Sequence, residues 1–168
     1  MVAAILGHEY GPKAMALPAG LFPLMKEVAR HILRRPVVGI AAVARTTGGD
    51  VVLIRRTDTG QWALPGGTLE WNETLRDACR RELLEEAGAE TVSLGDVVGV
   101  YSDPVRDRRF HAVTIVVEAT VLEPNREPMN PAEIAEVKCF APDALPSVLA
   151  HGMSEMLADG LAGRRRWE

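Results

Sequence analysis

Residues 67–89 read GTLEWNETLRDACRRELLEEAGA, a stretch that carries the signals for both ends of one helix. Asn72 is able to accept a backbone hydrogen bond as the N-cap, and Glu73 then lies at the positive end of the helix. Gly88 suits the left-handed backbone conformation in which many helices end. We therefore expect a helix of about 13 residues that begins and ends through local sequence signals.

One face of this predicted helix changes from apolar to acidic. At about 100° per residue, it contains Leu75, Ala78, Cys79, Glu82, Glu85 and Glu86. Glutamates three and four positions apart repel each other by about 0.2–0.5 kcal/mol per pair, and turning them toward a core adds a desolvation penalty of several kcal/mol. Arg80 and Arg81 point away from this face on the same helical wheel. Divalent cations such as Mg²⁺ take carboxylate oxygens and bridge to phosphate, so the face predicts a metal site.

The composition is that of an ordinary soluble globular chain. The 168 residues predict one domain with a substantial core, and 47% of them are hydrophobic and 25% charged. The net charge of −4 gives no reason to expect nucleic-acid binding. Cys79 and Cys139 show neither metal-ligand spacing nor a disulfide framework. They are predicted to be reduced core residues, as expected of a cytoplasmic protein.

Neither a membrane span nor a targeting segment is expected. The longest uncharged run near the N-terminus, residues 14–25, is too short to cross a bilayer and contains Pro18 and Pro23. No membrane partner is therefore predicted.

Hydrophobic spacing divides the chain into an N-terminal extension, residues 1–35, and a domain, residues 36–168. An amphipathic helix is predicted from Leu21 to Arg35, either packed on its own domain or used as a homodimer contact or a pocket wall. Within the domain, strands are predicted at 37–44, 51–56, 95–101, 111–122 and 133–140, and a final helix at 147–161. The tail from Arg164 to Glu168 is predicted to be a solvated end.

The residues around the acidic face also fit a known sequence signature. The pattern G-x5-E-x7-R-E-U-x-E-E-x-G-U, with U aliphatic, is filled here by Gly67, Glu73, Arg81, Glu82, Leu83, Glu85, Glu86, Gly88 and Ala89. Only Ala89 is smaller than usual at its position. The chain resembles the Nudix hydrolase family in this box, and the resemblance extends from about Pro36 to Leu145. It implies an α/β fold, a Nudix-type α/β/α sandwich with a mixed β-sheet, here with the N-terminal helical extension.

The resemblance also implies a site for one or more Mg²⁺ ions, with Mn²⁺ as a substitute. The implied metal ligands are Glu82, Glu85, Glu86 and the backbone carbonyl of Gly67. Arg81 would restrain these carboxylates and so contribute to catalysis. Glu73 and Gly88 would be structural residues of the box.

Hydrolysis of a phosphoanhydride requires charge neutralisation, a positioned water and a general base. Members of the family use either a box glutamate, which is Glu86 here, or an acidic residue on a later loop. For the second we choose Glu133 ahead of Glu136 and Glu118. Glu118 lies in a strand that is predicted to be buried.

Residues 102–111, SDPVRDRRFH, resemble the S-D-P-x-R-D-P-R-x-H loop of ADP-ribose pyrophosphatases in this family. Two positions differ, because Arg108 replaces the proline and Phe110 is bulky at the unspecified position. The arginines of this loop are suited to hold a diphosphate or a terminal ribose through forked hydrogen bonds. The alternative is a self-paired surface loop. The predicted substrate-binding residues are Arg56, Ser102, Arg106 and Arg109.

The sequence therefore predicts Mg²⁺-dependent hydrolysis of the pyrophosphate bond in a nucleoside diphosphate linked to another moiety. ADP-ribose, giving AMP and ribose 5-phosphate, is the first candidate substrate. The alternatives are a pyrophosphohydrolase of nucleotide sugars, dinucleotides or (oxidised) nucleoside triphosphates, and a non-catalytic Nudix-like ligand-binding module. The box keeps all of its glutamates, which favours an enzyme over such a module. The expected partner is a small-molecule nucleotide.

Overall fold

Strand β1, Val37–Thr46, is apolar along most of its length because it lies inside the sheet with both faces covered. Ala42 and Ala44 contact one layer of the hydrophobic core, whereas Ala41 and Val43 contact the other. Alternate side chains of a strand point to opposite faces, so a strand covered on both faces reads as a continuous apolar run. The buried strand expected at residues 37–44 is therefore confirmed.

The computed structural model describes residues 25–27, 29 and 35–168. Its contacts divide the chain between Arg35 and Pro36, and every feature below belongs to the second unit. Of the helix predicted from Leu21 to Arg35, the structure describes only residues 25–27, 29 and 35, so its extent stays a prediction. The homodimer contact suggested for it stays a prediction as well.

The described residues form one mixed sheet of eight strands. After β1 these are β2 Val51–Arg56, β3 Trp62–Ala63, β4 Gly66–Thr68, β5 Thr91–Tyr101, β6 Ala112–Val121, β7 Ile134–Phe140 and β8 Arg166–Trp167. The order across the sheet is β3-β2-β1-β6-β5-β8, with β4 also paired to β1 and β7 to β2. Strands β1 and β6 run parallel along their whole length, and so do β5 and β8 at their short contact. The other pairs are antiparallel.

Two helices cover the two faces of this sheet, α1 at Leu75–Ala87 and α2 at Met153–Leu161. The buried side of α1, which includes Leu83, packs into one layer of the core. Met156 and Leu157 of α2 pack into the other layer. This arrangement confirms the predicted α/β/α sandwich with a mixed sheet. In the part of the chain that the structure describes, neither helix nor any other is long and apolar enough to span a bilayer.

The start of α1 differs from the prediction. Its N-cap is Thr74, whose Oγ1 accepts a hydrogen bond from the backbone N–H of Asp77 at 3.2 Å. Asn72 instead has a φ of 64° and belongs to the preceding turn. Asparagine tolerates this left-handed conformation better than most residues. The assignment of Asn72 as the N-cap was wrong because two cap-forming side chains stand close together, and the sequence does not say which of them turns the chain.

Gly88 ends the helix as predicted, with a φ of 59° and its N–H donating to the carbonyl of Leu84 at 3.1 Å. A Cβ at this position would collide with the backbone carbonyl of Arg126. We expect Gly88→Ala to lower the free energy of unfolding by about 2 kcal/mol, because it combines a left-handed alanine with this collision. Gly60 has a φ of 67° but open space around its ideal Cβ, so Gly60→Ala should cost only about 1 kcal/mol. Urea denaturation measures both losses, and equal values would contradict a role for the Arg126 contact.

Helix α2 begins later than predicted. The prediction placed its start near Ser147, whereas the structure has a 3-10 turn at Ala150–Gly152 and the α-helix begins at Met153. His151 and Gly152 both adopt left-handed conformations, with φ values of 52° and 69°. Consecutive left-handed residues cannot continue a right-handed helix, so the apolar spacing alone overestimated its length.

The tail is part of the sheet, which corrects the prediction of a solvated end. Residues Arg166–Trp167 form β8 beside β5. Arg164 and Arg166 donate to the buried carboxylate of Asp159 at 2.7 and 2.6 Å. The prediction failed because a run of arginines looks solvated in sequence, whereas its acidic partner lies on α2.

Both cysteines are free thiols, as predicted. Cys79 is buried in the core, and Cys139 is half-buried with its thiol 3.6 Å from a carboxylate oxygen of Glu123. Burial raises the pKa of each thiol to about 11. Neither is therefore a reactive thiolate near neutral pH.

Candidate active site

A cleft of about 480 Å³ opens beside the N-terminal half of β1. Its floor is formed by β4 and by the glutamates of α1, and its walls come from the turn after β2, the loop before β6 and the loop before β7. Segments that are distant in sequence thus converge on the acidic end of α1. The polar side chains and glycines that line the cleft and matter below are Arg56, Asp58, Gly66, Gly67, Glu82, Glu86, Asp107, Arg109, Glu133 and His151.

Glu82 and Glu86 face the cleft from α1 and are only 8% and 9% exposed. The backbone N–H of Gly66 donates to Glu86 Oε2 at 2.8 Å. Burial raises the pKa of Glu86 to about 7, against the effect of this hydrogen bond, and the charge of Glu82 raises it further. Burial also raises the pKa of Glu82, although Arg81 opposes the shift. Both carboxylates lie where the fold disfavours negative charge, which is typical of functional sites.

Arg81 binds Glu82 and Glu85, which corrects the helical-wheel prediction that it points away from the acidic face. Its Nη1 donates to Glu82 Oε1 at 2.8 Å and to Glu85 Oε2 at 3.3 Å. Its Nε and Nη2 donate to the carboxylate of Glu73 at 2.8 and 2.9 Å. The helical wheel describes the direction of Cβ, but a side chain this long carries its guanidinium far from that direction. Arg81 therefore joins the first turn of the box to its acidic end.

Two glycines allow the floor of the cleft to be built. A Cβ on Gly67 would collide with the carboxylate of Glu82, and a Cβ on Gly66 would collide with the backbone carbonyl of Ile40. At Gly67 there is therefore space only for a hydrogen atom beside the carboxylate of Glu82. At Gly66 there is space only for a hydrogen atom beside β1. This close approach puts the backbone of Gly67 at the cleft, where the sequence predicted it.

The donor chemistry of the floor fits a hard divalent cation. Glu82 and Glu86 present carboxylate oxygens beside the backbone of Gly67, and Mg²⁺ and Mn²⁺ prefer such oxygen ligands. Glu85, the third predicted glutamate, is half-exposed, is held by Arg81 and does not line the cleft. Within the described ranges, no three His, Cys, Asp or Glu side chains are gathered closely enough to hold a metal ion. The residues present therefore fit a cation through Glu82, Glu86 and the backbone of Gly67, whereas Glu85 lies outside the cleft.

The opposite wall of the cleft is a network of alternating charges. Arg109 Nη2 donates to Asp107 at 2.7 Å, and its Nη1 lies 3.5 Å from Asp58. Arg56 Nε donates to Asp58 at 2.9 Å. His151 Nδ1 lies 3.8 Å from Asp107, and burial together with the charge of Arg109 lowers the pKa of His151. Since a neutral histidine leaves two arginines beside two aspartates, these five side chains together carry no net charge near pH 7.

Sequence reasoning did not find the acidic part of this wall. No sequence signal connects Asp58 with His151, because they lie on segments that are far apart in the chain. Asp107 stands between arginines in the quoted loop, which was the one available signal. The network appears only when the turn after β2, the loop before β6 and the 3-10 turn are placed together.

The three candidates for a general base on later segments are placed differently. Glu133 lines the cleft. Glu136 instead accepts a hydrogen bond from Arg55 at 2.9 Å, and Glu118 accepts one from Arg165 at 3.0 Å. Neither Glu136 nor Glu118 lines the cleft.

Two predicted substrate ligands also lie outside the cleft. Arg106 donates to Glu155 at 2.7 Å and to Glu168. The hydroxyl of Ser102 donates to the backbone oxygen of Glu168 at 3.2 Å. The tail and α2 engage both side chains, so the geometry does not favour Ser102 and Arg106 as substrate ligands.

Residues 33–160 match a family model described as the NUDIX domain. The chain belongs to the Nudix family. Nudix hydrolases generally need divalent metal ions, and Nudix enzymes act on small-molecule nucleotides. The acidic end of α1 and the glycines of β4 are the part of this Nudix domain that the sequence signature covers.

The Nudix chain is similar to curated proteins and to solved structures. It is 42% identical over 69 residues to the ADP-ribose pyrophosphatase of Methanocaldococcus jannaschii, a match covering 39% of this chain and 40% of that protein. It is 41% identical over 69 residues to a MutT-like protein of Streptomyces ambofaciens, covering 41% of this chain and 44% of that protein. The chain thus spans less than half the length of these relatives.

Among solved structures, the MutT Nudix hydrolase of Burkholderia pseudomallei superposes with a TM-score of 0.64 at 28% identity, covering 75% of this chain and 98% of that one. The Nudix domain of Shewanella oneidensis NrtR, in complex with ADP-ribose, superposes with a TM-score of 0.69 at 19% identity, covering 88% and 99%. At this identity the second likeness shows the fold alone.

Proposed function

We propose that this Nudix protein hydrolyses the pyrophosphate bond of a nucleoside diphosphate linked to another moiety, and that ADP-ribose is the first substrate to test. The observation that carries the proposal is the cleft itself, in which two buried carboxylates face a wall of paired charges. The similarity to an ADP-ribose pyrophosphatase supports the choice of substrate. The expected products are AMP and ribose 5-phosphate.

Glu82, Glu86 and the carbonyl of Gly67 would hold Mg²⁺ or Mn²⁺. The bound cation would neutralise the diphosphate and acidify a water molecule. Arg81 donates to Glu82 and is itself held by Glu73, so it fixes the orientation of the Glu82 carboxylate. Removing Arg81 should therefore weaken metal affinity without removing a ligand.

We propose Glu133 as the general base, with Glu86 as the alternative. Glu133 lines the same cleft as Glu86, and its charge adds to the effect of burial in raising the pKa of Glu86. A carboxylate at this place can accept the proton of a water that attacks the diphosphate above the acidic floor. Glu133→Gln should then lower kcat more than it raises KM.

The charge-balanced wall favours a sugar over a further phosphate. Arg56 and Arg109 already face Asp58 and Asp107, so a triphosphate would bring negative charge that no free cation of this wall compensates. Sugar hydroxyl groups both donate and accept, which suits alternating carboxylates and guanidinium groups. The wall therefore supports a diphosphate linked to a sugar.

A hydrolysis screen tests this function. The purified protein is assayed with Mg²⁺ or Mn²⁺ against ADP-ribose, nucleotide sugars, dinucleoside polyphosphates and nucleoside triphosphates. We expect ADP-ribose to give the highest kcat/KM. Faster hydrolysis of a nucleoside triphosphate would contradict the assignment, and no hydrolysis of any nucleotide would favour a binding module.

Arg109→Ala tests the wall. Losing one charge-assisted hydrogen bond to the sugar should lower kcat/KM for ADP-ribose about tenfold, with much less effect on a nucleoside triphosphate. Arg108→Ala is the matched control, because Arg108 is exposed in the same loop and does not line the cleft. Steady-state kinetics on both substrates gives the ratio. An equal loss on both would mean that Arg109 does not select the sugar.

A further inference from the structure

Glu168 joins the tail to the loop that precedes β6. Its carboxylate accepts hydrogen bonds from the backbone N–H groups of Ser102 and Asp103 at 3.1 and 3.2 Å. Its backbone oxygen accepts one from the hydroxyl of Ser102 at 3.2 Å. The two backbone amides at the beginning of the loop therefore donate to the tail and not to a strand.

Arg106 extends this connection to the middle of the loop. Its Nε donates to Glu168 at 3.0 Å, and its Nη2 donates to Glu168 and also to Glu155 of α2. Its guanidinium carbon lies over the ring of Tyr101, 5.1 Å from the ring centre. The side chains of Arg106 and Glu168 are 16% and 22% exposed, so solvent screens the pair only in part.

The residues that follow Arg106 form the cleft wall. Asp107 is buried directly beside it in the chain, and Arg109 binds Asp107. On the other side, His151 adjoins Gly152, whose carbonyl accepts a hydrogen bond from Arg106 at 3.4 Å. Arg106 thus connects the loop before β6 to the 3-10 turn, two of the three segments that build this wall, although it does not line the cleft.

The tail itself is fixed independently of the loop. The carboxylate of Asp159 is fully buried and accepts hydrogen bonds from Arg164, Arg166 and the hydroxyl of Tyr101. An ideal Cβ on Gly99 would lie 2.6 Å from the backbone oxygen of Arg166, so glycine is what lets the tail approach β5 this closely. The tail is therefore held beside β5 and α2 by contacts that do not involve the loop.

We propose that residues 164–168 form a latch that positions the cleft wall Asp107–Phe110, with Glu168 as the positioning residue. If the tail served only to cover the edge of β5, the carboxylate of Glu168 would have no effect on the loop. The effect of Glu168 on substrate binding rests on the proposed function, whereas its effect on the position of the loop does not.

Amide hydrogen exchange tests the latch without any substrate. In Glu168→Gln and Glu168→Ala, exchange in residues 102–110 should become about tenfold faster, while exchange in α1 stays at the wild-type rate. Arg165→Gln is the matched control in the same tail, because Arg165 contacts Glu118 and Asp96, which lie outside the loop. Unchanged exchange in 102–110 in both Glu168 variants would overturn the latch.

Steady-state kinetics tests the positioning role. With the substrate identified by the screen, the Glu168 variants should raise KM about fivefold and change kcat little, because the acidic floor is untouched. Faster exchange with an unchanged KM would overturn the claim that the latch positions the substrate wall. If the wild-type protein hydrolyses no nucleotide, the proposed function fails while the exchange result still decides whether the latch exists.

Discussion

Glu86→Gln should lower kcat/KM about 10³-fold and leave the metal-free protein at least as stable as the wild type. The glutamine keeps the shape of Glu86, and its amide oxygen is able to accept the hydrogen bond from the backbone of Gly66. It is a far weaker ligand for a divalent cation than a carboxylate and cannot act as a base. A buried neutral amide also costs the fold less than a buried carboxylate beside Glu82, so the loss of function should come without a loss of stability.

Three measurements check this result. Steady-state kinetics gives the loss of turnover, calorimetry gives the loss of Mg²⁺ affinity, and urea denaturation in a chelator gives the stability of the metal-free protein. Glu90→Gln is the matched control, because Glu90 is an exposed glutamate paired with Arg126 at 2.8 Å and does not line the cleft. Full activity of Glu86→Gln would remove Glu86 from the site, and a large fall in its stability would show that the loss of activity reflects a damaged fold.

Asp159→Asn should lower the free energy of unfolding by about 3 kcal/mol at pH 7, or the melting temperature by about 10 °C for a chain of this length. The buried carboxylate of Asp159 accepts hydrogen bonds from Tyr101 at 3.0 Å and from Arg164 and Arg166 at 2.7 and 2.6 Å. An asparagine still has one oxygen, but its NH₂ group would face a guanidinium. Thermal and urea denaturation measure the loss, and Asp143→Asn, at an exposed carboxylate, should change stability by less than about 0.5 kcal/mol.

Asp159→Asn should also change how the free energy of unfolding depends on pH in the acidic range. Hydrogen bonds from Arg166, and then from Arg164 and Tyr101, hold the pKa of Asp159 well below its usual range, against the effect of burial. A carboxylate with a lowered folded pKa gives its full stabilisation above its unfolded pKa of about 4 and loses it as the pH falls toward the folded value. The wild type should therefore lose stability more steeply below about pH 4 than Asp159→Asn. Parallel curves in that range would contradict the assigned role of Asp159.

The parts of the structure that the sequence predicted are those that depend on short-range signals. The end of α1 at Gly88 requires only a residue that accepts a positive φ. The position of Glu82 and Glu86 at the cleft follows from helical periodicity and from a signature of fixed spacing. The buried strand at β1 follows from an apolar run, because a strand covered on both faces cannot alternate.

The parts that the sequence did not predict depend on partners far away in the chain. Nothing near Arg106 indicates that Glu168, 62 positions later, accepts its hydrogen bonds. The tail looked solvated because its partner Asp159 belongs to another element. Arg81 is a different case, since its partners are local but its side chain is long and its rotamer is set by the glutamates it meets.

The parallel pairing of β1 with β6 has a consequence for folding during translation. Partners such as Val37 and Ala112 are about 75 positions apart, and no hairpin can bring parallel strands together. The chain must lose the entropy of closing this loop before the pairing of β1 with β6 stabilises it. Folding is therefore expected to be slower than in helical chains of similar size. On a ribosome that adds roughly 5–20 residues per second, the apolar strand β1 waits about 4–15 seconds before β6 has been synthesised. During that interval β1 can pair with β2 and β4, but its edge toward β6 stays without a partner strand.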